Sequence, residues 1–415
     1  MTKKSIKWIT HLNNCFFILG EKENMSNKKT NDITIYGTFF FALFGLITSY
    51  KSIKQDFVIE HSSPKIEVEV GTPGQRHPIQ LSLSYPRSWV SPAFYKVTES
   101  STSKKIKEKV QFPSNITMNM EGFEVTDLYV INQTIIENFD FFVLRSGIVF
   151  QFGIISLAHN FEDEKHSLIH TLKNRLLIDY SSFGFSFEDG NKGKMYFGKF
   201  PEEDFPNYFH SSCQLDERKD RSKDFWSCNL QKVILEYKGK EFSYSNENRY
   251  SHFSLSSRIY APDEFLSFLE KNQFYEAIKN NECQLSGLKE FECNPEVIET
   301  FGDLYFVFNN VGYKIKNEDL WTQKKSLYEY RISGGYKVYS GFMNDWYIGI
   351  SFLKDFNIEF DYEEQKINFY SNRNKIKLLN WEIIVQRIYV CIILFNILGT
   401  ILLSYMLLHK TFFNN

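Results

Sequence analysis

Ile66, Val68 and Val70 alternate with Glu67 and Glu69, which predicts a strand with one apolar and one charged face. Gly71 to Gln75 then turns the chain, Pro73 fixing φ while Gly71 and Gly74 supply permissive backbone. Ile116 to Met120 and Phe123 to Ile131 flank Glu121 and Gly122, the pattern of a compact hairpin. Leu304 to Phe308 and Val311 to Ile315, joined by Asn309 and Asn310, predict another. Asp263 to Ile278 instead spaces Phe265, Leu266, Phe268, Leu269 and Phe274 as one face of a helix. Asp263 and Glu264 fit the N-terminal charge of that helix better than they fit a catalytic pair. Ser100 to Lys109 and Pro201 to Asp224 are polar and irregular, and read as exposed connections.

Two apolar runs stand apart from these amphipathic segments. Ile33 to Tyr50 is eighteen residues without a charge, preceded by Lys28 and Lys29. It is long for a signal-peptide core and marginal for a span, so residues 1–50 read as a signal peptide or a signal anchor. Ile388 to Leu408 is 21 residues without a charge, about 31 Å as a helix, enough to cross a bilayer. The sequence expectation is therefore a membrane helix over 386–409, a short tail over 410–415, and a luminal or extracellular domain between the two runs.

Composition narrows the classes. The 415 residues carry 48 Lys and Arg against 50 Asp and Glu, a balance that argues against nucleic acid as a partner. The 41 Phe and 24 Tyr suit a β-rich protein. Of six cysteines, Cys15 and Cys391 lie outside the central region, while Cys213, Cys228, Cys283 and Cys293 cluster in its second half. In a chain with secretory signals they point to two disulfides, and three pairings are open; sequence neighbours are preferred. Zinc is the rival, but CxxC spacing and nearby histidines are missing, so no metal and no cofactor is expected. Asn115 with Thr117 and Asn132 with Thr134 form glycosylation sequons.

The stretch IEVEVGTPGQ, followed by a short strand, a loop and Trp89–Val90, resembles the N-lobe signature of the pepsin-like aspartic proteases, the A1 peptidases. Further similarities are VFQFGIISLA at Val149–Ala158, MYFG at Met195–Gly198, WSCNLQKVILEY at Trp226–Tyr237, and the run from Trp346 to Tyr370. The resemblance implies an all-β, bilobal acid-protease fold, with one lobe over 55–200 and the other over 201–375. It places a helix at Leu168–Ile178, a disulfide near Cys283 and Cys293, and a purely structural aspartate at Asp361. It also implies that a flap hairpin over the cleft corresponds to Met120, Glu121 and Gly122.

In that family one aspartate from each lobe shares a proton and activates water. Counted from Gly71, the Asp-Thr-Gly of the first lobe falls on Ser82, Leu83 and Ser84. The second loop falls within SHFSLSSRIYAP; anchored on Pro262 its aspartate position is Phe253, and anchored on the repeated SLS it is Ser254, with Ser256 two residues on. A serine hydroxyl cannot ionise to become half of an acid pair. The resemblance with these departures implies a non-catalytic domain, tethered to a membrane, whose cleft around Ser82, Ser84, Ser254 and Ser256 holds a peptide or protein partner. The alternatives are an active peptidase using carboxylates placed elsewhere, a structural surface protein, and a serine hydrolase built on His252 and Ser254 or on His77 and Ser82.

Overall fold

In the computed structural model the alternation at Ile66–Val70 becomes the strand Ser63–Val70, with Ile66, Val68 and Val70 buried and Glu67 exposed. It pairs antiparallel with Gln75–Ser82, Val70 lying opposite Gln75. Gly71 takes φ +82°, and a Cβ there would lie 2.7 Å from Ser100 Oγ, so both backbone and packing require glycine. The structure describes residues 50–379 except 61–62, 86, 112–120, 145–151, 160–165, 189–190, 217–224, 247–248, 288 and 335–344, and beyond these 389–393, 395–396 and 399–400.

Three sheets carry the fold. A 13-stranded sheet contains the first lobe's strands. At its other end Ser182–Phe187 pairs with Asn357–Asp361, which pairs with Lys366–Ser371, so the end of the second half returns to a sheet shared with the first. Phe183 lies opposite Phe360, their rings stacked at 4.9 Å between centroids. The second half adds a five-stranded sheet built on Leu230–Tyr237 and Asp303–Phe308, and a seven-stranded sheet built on Trp346–Ile348 and Leu327–Gly334. The hairpin Asp303–Phe308 to Val311–Ile315 turns through Asn309 and Asn310, with φ of 46° and 62°, the left-handed geometry that asparagine tolerates.

The architecture is mixed β/α with large sheets, consistent with pepsin-like topology, and corrects the all-β expectation. Ser167 caps the helix Leu168–Asn174 by accepting from the His170 amide, and the helix stops before Leu176, whose φ is 56°. Asp263–Leu269 continues through a π turn, Glu270–Phe274, into Tyr275–Lys279, and its apolar face packs Phe265, Leu269 and Phe274 into the core.

The terminal expectations fare differently. Residues 1–49 and 401–415 lie outside the described residues, as does most of the Ile388–Leu408 run. Among the described residues no helix is long and apolar enough to cross a membrane. Membrane tethering by a C-terminal helix, and the single-pass membrane location and membrane partner drawn from it, are therefore not supported.

The hairpin expected over Ile116–Ile131 has a different partner strand. Lys104–Gln111 pairs with Glu121–Ile131, and residues 112–120, which include Met120 and Asn115, lie outside the described residues. Glu121 and Gly122 are not tip residues: they open the second strand, Gly122 pairing with Val110 on one side and Leu144 on the other. The apolar alternation of Phe123–Ile131 extends across Glu121 and Gly122, and the basic run Lys104–Lys109, read as a loop, supplies the partner strand. Asn132 instead forms the tight turn into Thr134–Leu144, its side-chain amide donating to the Lys54 carbonyl at 2.6 Å.

Candidate functional site

Two loops rise from the centre of the molecule on equivalent scaffolds. In the first, Gln75–Ser82 runs parallel to Gly153–Ser156 and places Ser82 opposite Ser156. In the second, Ser251–Phe253 runs parallel to Trp346–Ile348, with Phe253 opposite Ile348; the next residues in each chain are Ser254 and Gly349. The apolar-apolar-small triplets Ile154–Ile155–Ser156 and Tyr347–Ile348–Gly349 thus sit at matching register, and Ser82 corresponds to Ser254. Phe253 is buried completely among Phe308, Phe352, Phe360 and Phe369, and is a core residue.

Each loop closes on its own hydroxyls. Ser82 Oγ lies 3.3 Å from Ser84 Oγ and accepts from the Ser84 and Tyr85 amides, both at 3.3 Å. Ser254 Oγ lies 2.9 Å from Ser256 Oγ, and Ser256 Oγ donates to the Arg258 carbonyl at 3.0 Å. Between the serines, Leu83 and Leu255 both turn into the main hydrophobic core. Ser82 is buried, while Ser84, Ser254 and Ser256 are half-buried.

The small residues beneath the loops are not equivalent. Under the first, Ser156 Oγ donates to the Tyr85 carbonyl and its amide donates to Ser88 Oγ at 3.0 Å, so a side chain is accommodated. Under the second, a Cβ on Gly349 would meet the Arg258 carbonyl at 2.1 Å and the Ser256 carbonyl at 2.4 Å. Both obstacles are backbone, which leaves glycine alone compatible with that loop.

Trp226 joins the two loops. Ser82 O accepts from Leu157 N at 2.8 Å, Leu157 O accepts from Trp226 Nε1 at 2.7 Å, and Trp226 O accepts from Phe253 N at 2.8 Å. Ser254 N then donates to Ile348 O at 2.9 Å. A continuous chain of buried hydrogen bonds therefore runs from one loop to the other through a fully buried indole. Trp226 was legible in the sequence only as part of a strand resemblance; nothing in its spacing announces the link.

The histidines do not assemble a serine nucleophile. His252 is fully buried, with Nδ1 2.7 Å from Ser227 Oγ and Nε2 3.7 Å from Asp345 Oδ2. Its imidazole is thus engaged with Ser227 and Asp345 and shielded from solvent. His77 and Ser82 are five residues apart on one strand and so face opposite ways. His77 is buried beside Phe94 and Tyr95, neither ring nitrogen has a hydrogen-bond partner, and burial pushes its pKa down to about 4.

Cys213 is bonded to Cys228 and Cys283 to Cys293, the neighbour pairing, while Cys391 is free. No group of three or more His, Cys, Asp or Glu side chains among the described residues is placed to hold a metal. Asp361 holds a turn, its Oδ1 accepting from the Glu363 and Glu364 amides at 2.8 and 2.9 Å.

A missed cluster flanks the second loop. Arg258 donates to Glu290 Oε1 at 2.5 Å and to Glu329 Oε2, and Lys324 donates to Glu329 Oε1 at 2.8 Å. These partners are 32 and 71 residues from Arg258 in sequence, so no local pattern reveals them.

A comparison with curated proteins returned no match. A comparison with protein families matched residues 66–371 to the model described as eukaryotic aspartyl protease. With paired loops on parallel strands, two halves sharing a sheet, and a family match over most of its length, the chain belongs to the eukaryotic aspartyl protease family.

Proposed function

We propose that this chain is a degenerate member of its family that does not hydrolyse peptide bonds, because hydroxyls stand at both positions of the shared-proton carboxylate pair. The observation that carries this reading is the matched register of Ser82 with Ser156 and of Ser254 with Gly349. The family chemistry needs one carboxylate that is ionised and one that is protonated. Serine supplies neither at any pH at which the protein is folded. The same substitution occurs in both loops, and in each the two serines bond to one another rather than reaching across.

What remains is a bilobal scaffold whose loops can hold an extended polypeptide without cutting it, using main-chain hydrogen bonds of the kind by which strands add to sheet edges. Leu83 and Leu255 support this by anchoring both loops in the core, so that the loops stay formed without the carboxylates. Displaced carboxylates are the competing reading, and Glu290 with Glu329 is a geometric candidate. Arg258 ion-pairs with both of them, however, and the two residues are only 7% and 6% exposed, which supports a structural role.

Fluorescence anisotropy with labelled peptides from an unfolded protein digest tests the proposal when each bound fraction is then examined by mass spectrometry. Saturable binding with every recovered peptide intact is expected. Recovery of peptides cut at new, reproducible positions would overturn it.

A further inference from the structure

Glu290 is a buried carboxyl that lacks a donor for one oxygen. Its Oε1 accepts from Arg258, while Oε2 is shielded from solvent and has no hydrogen-bond partner. The neighbouring carboxyl is Glu329, held by the same guanidinium, and a proton on one of the two acids is what would supply the donor that Glu290 Oε2 lacks. Two buried glutamates held by one guanidinium, one of them with an oxygen that lacks a donor, are therefore suited to retain a single proton.

Charged groups surround the pair on the described elements packed against it. From its own strand comes Glu292, and from Trp321–Lys324 comes Lys324, which bonds Glu329 at 2.8 Å and Glu292 at 3.5 Å. From Leu327–Gly334 come Glu329 and Arg331, the latter donating to the Trp321 carbonyl. Lys289, next in sequence to Glu290, turns away to Asp263 on the neighbouring helix. Arg258 is the only one of these cations that touches both glutamates.

Arg258 also belongs to the second loop. Its carbonyl accepts from Ser256 Oγ, and the Ser256 carbonyl accepts from the Ile350 amide at 2.6 Å directly above Gly349. The Arg258 backbone is thus tied by hydrogen bonds to the loop that carries Ser254 and Ser256.

We propose that Arg258, Glu290 and Glu329 form a proton-operated latch on the second serine loop, closed while the two glutamates share one proton and loosened when that proton leaves. Loss of the proton puts two adjacent carboxylates in competition for one guanidinium and removes the hydrogen bond between them. The latch acts whether or not the protein turns over a peptide, so it goes beyond the reading of the serines.

The direction follows from the two acids. Burial and the hydrogen bond with Glu329 push Glu290 up from 4.5 to about 7. Its contribution to folded stability is thus complete below about pH 4.5 and is lost as pH rises through about 7. Against its own burial, Glu329 is held down to about 2 by hydrogen bonds from Glu290 and Lys324 and by the charge of Arg258. Its contribution is present above about pH 4.5 and is lost only as pH falls through about 2. The latch is firm in mildly acidic solution and slack above neutrality.

Hydrogen exchange of the full chain, corrected for intrinsic exchange rates and followed at the Ile350 amide between pH 5 and 8, tests this. Protection should fall by roughly tenfold as pH rises, less than the tenfold per unit of a fully buried group because solvent screens the cluster. In Glu290→Gln, whose amide donates to Glu329 at every pH, protection should stay flat over that range. Glu329→Gln, which removes the competing carboxylate, should flatten it as well, and serves if the first variant does not fold. Wild-type protection that does not change with pH, or a pH dependence that survives in either folded variant, would overturn the latch.

Discussion

Replacing Trp226 by Phe removes one hydrogen-bond donor from the chain of bonds that runs from the first loop to the second, and it does so without introducing charge. The indole N–H donates to the Leu157 carbonyl at 2.7 Å, and both residues are fully buried. A buried carbonyl stripped of its donor costs about 1–3 kcal/mol. The ring also packs against Phe183, Phe360 and Tyr362, and the smaller side chain leaves a void. Complete removal of a buried Trp or Phe side chain costs about 3–5 kcal/mol, so trimming one ring to the other should add on the order of 1 kcal/mol. The sum is a loss of roughly 2–4 kcal/mol, read from urea unfolding followed by circular dichroism. Trp346→Phe is the matched control, because its indole donates at 2.8 Å to Asn246 within the second half. Both variants should be destabilised. Only Trp226→Phe should speed exchange at the Leu157 and Phe253 amides, the neighbouring bonds in the chain. A loss below about 0.5 kcal/mol, with both amides unchanged, would refute the claim that Trp226 couples the loops, since even one stripped carbonyl should cost more.

Gly349→Ala should destabilise the protein by about 1–3 kcal/mol or more in the same unfolding assay, because its Cβ meets two carbonyl oxygens that cannot step aside; Ser156→Ala, which only breaks a hydrogen bond, should cost about 1 kcal/mol. His77→Leu should remove an acid sensitivity: with its pKa lowered from 6.5 to about 4, the wild-type His77 term is complete above pH 6.5 and is lost as pH falls through about 4. The slope of the unfolding midpoint against pH over that window should therefore be shallower in the variant, and an unchanged slope would assign the sensitivity to other groups.

How much of this was legible in the sequence varies with how local the cause is. The Ile66–Val70 alternation and the Asn309–Asn310 turn are set by residues a few positions apart and the cysteine pairs by residues 15 and 10 apart, and each has its counterpart in the structure. The second loop was ambiguous because two anchors, Pro262 and the SLS repeat, differ by one residue. A one-residue slip turns a strand residue to the other face, and the pairing of Phe253 with Ile348 is what supports Ser254 over Phe253 in the proposed reading. The partner strand Lys104–Gln111 reads as a loop because it is rich in lysine and serves as a sheet edge, where charge takes the place of apolar alternation. The C-terminal run lies mostly outside the described residues, and among those described no helix is long and apolar enough to cross a membrane. The Arg258 cluster and the Trp226 bond join residues 32 to 71 positions apart, and a single sequence carries no pattern for them.

The central claim, that two serines have taken the place of a shared-proton carboxylate pair, is tested most directly by incubating the full chain with an unfolded protein substrate from about pH 3 to 7, with and without a statine-type transition-state analogue. The account predicts an intact substrate at every pH from protein shown to be folded by circular dichroism. Cleavage that the analogue abolishes would contradict it, since that result requires a carboxylate pair acting on bound peptide.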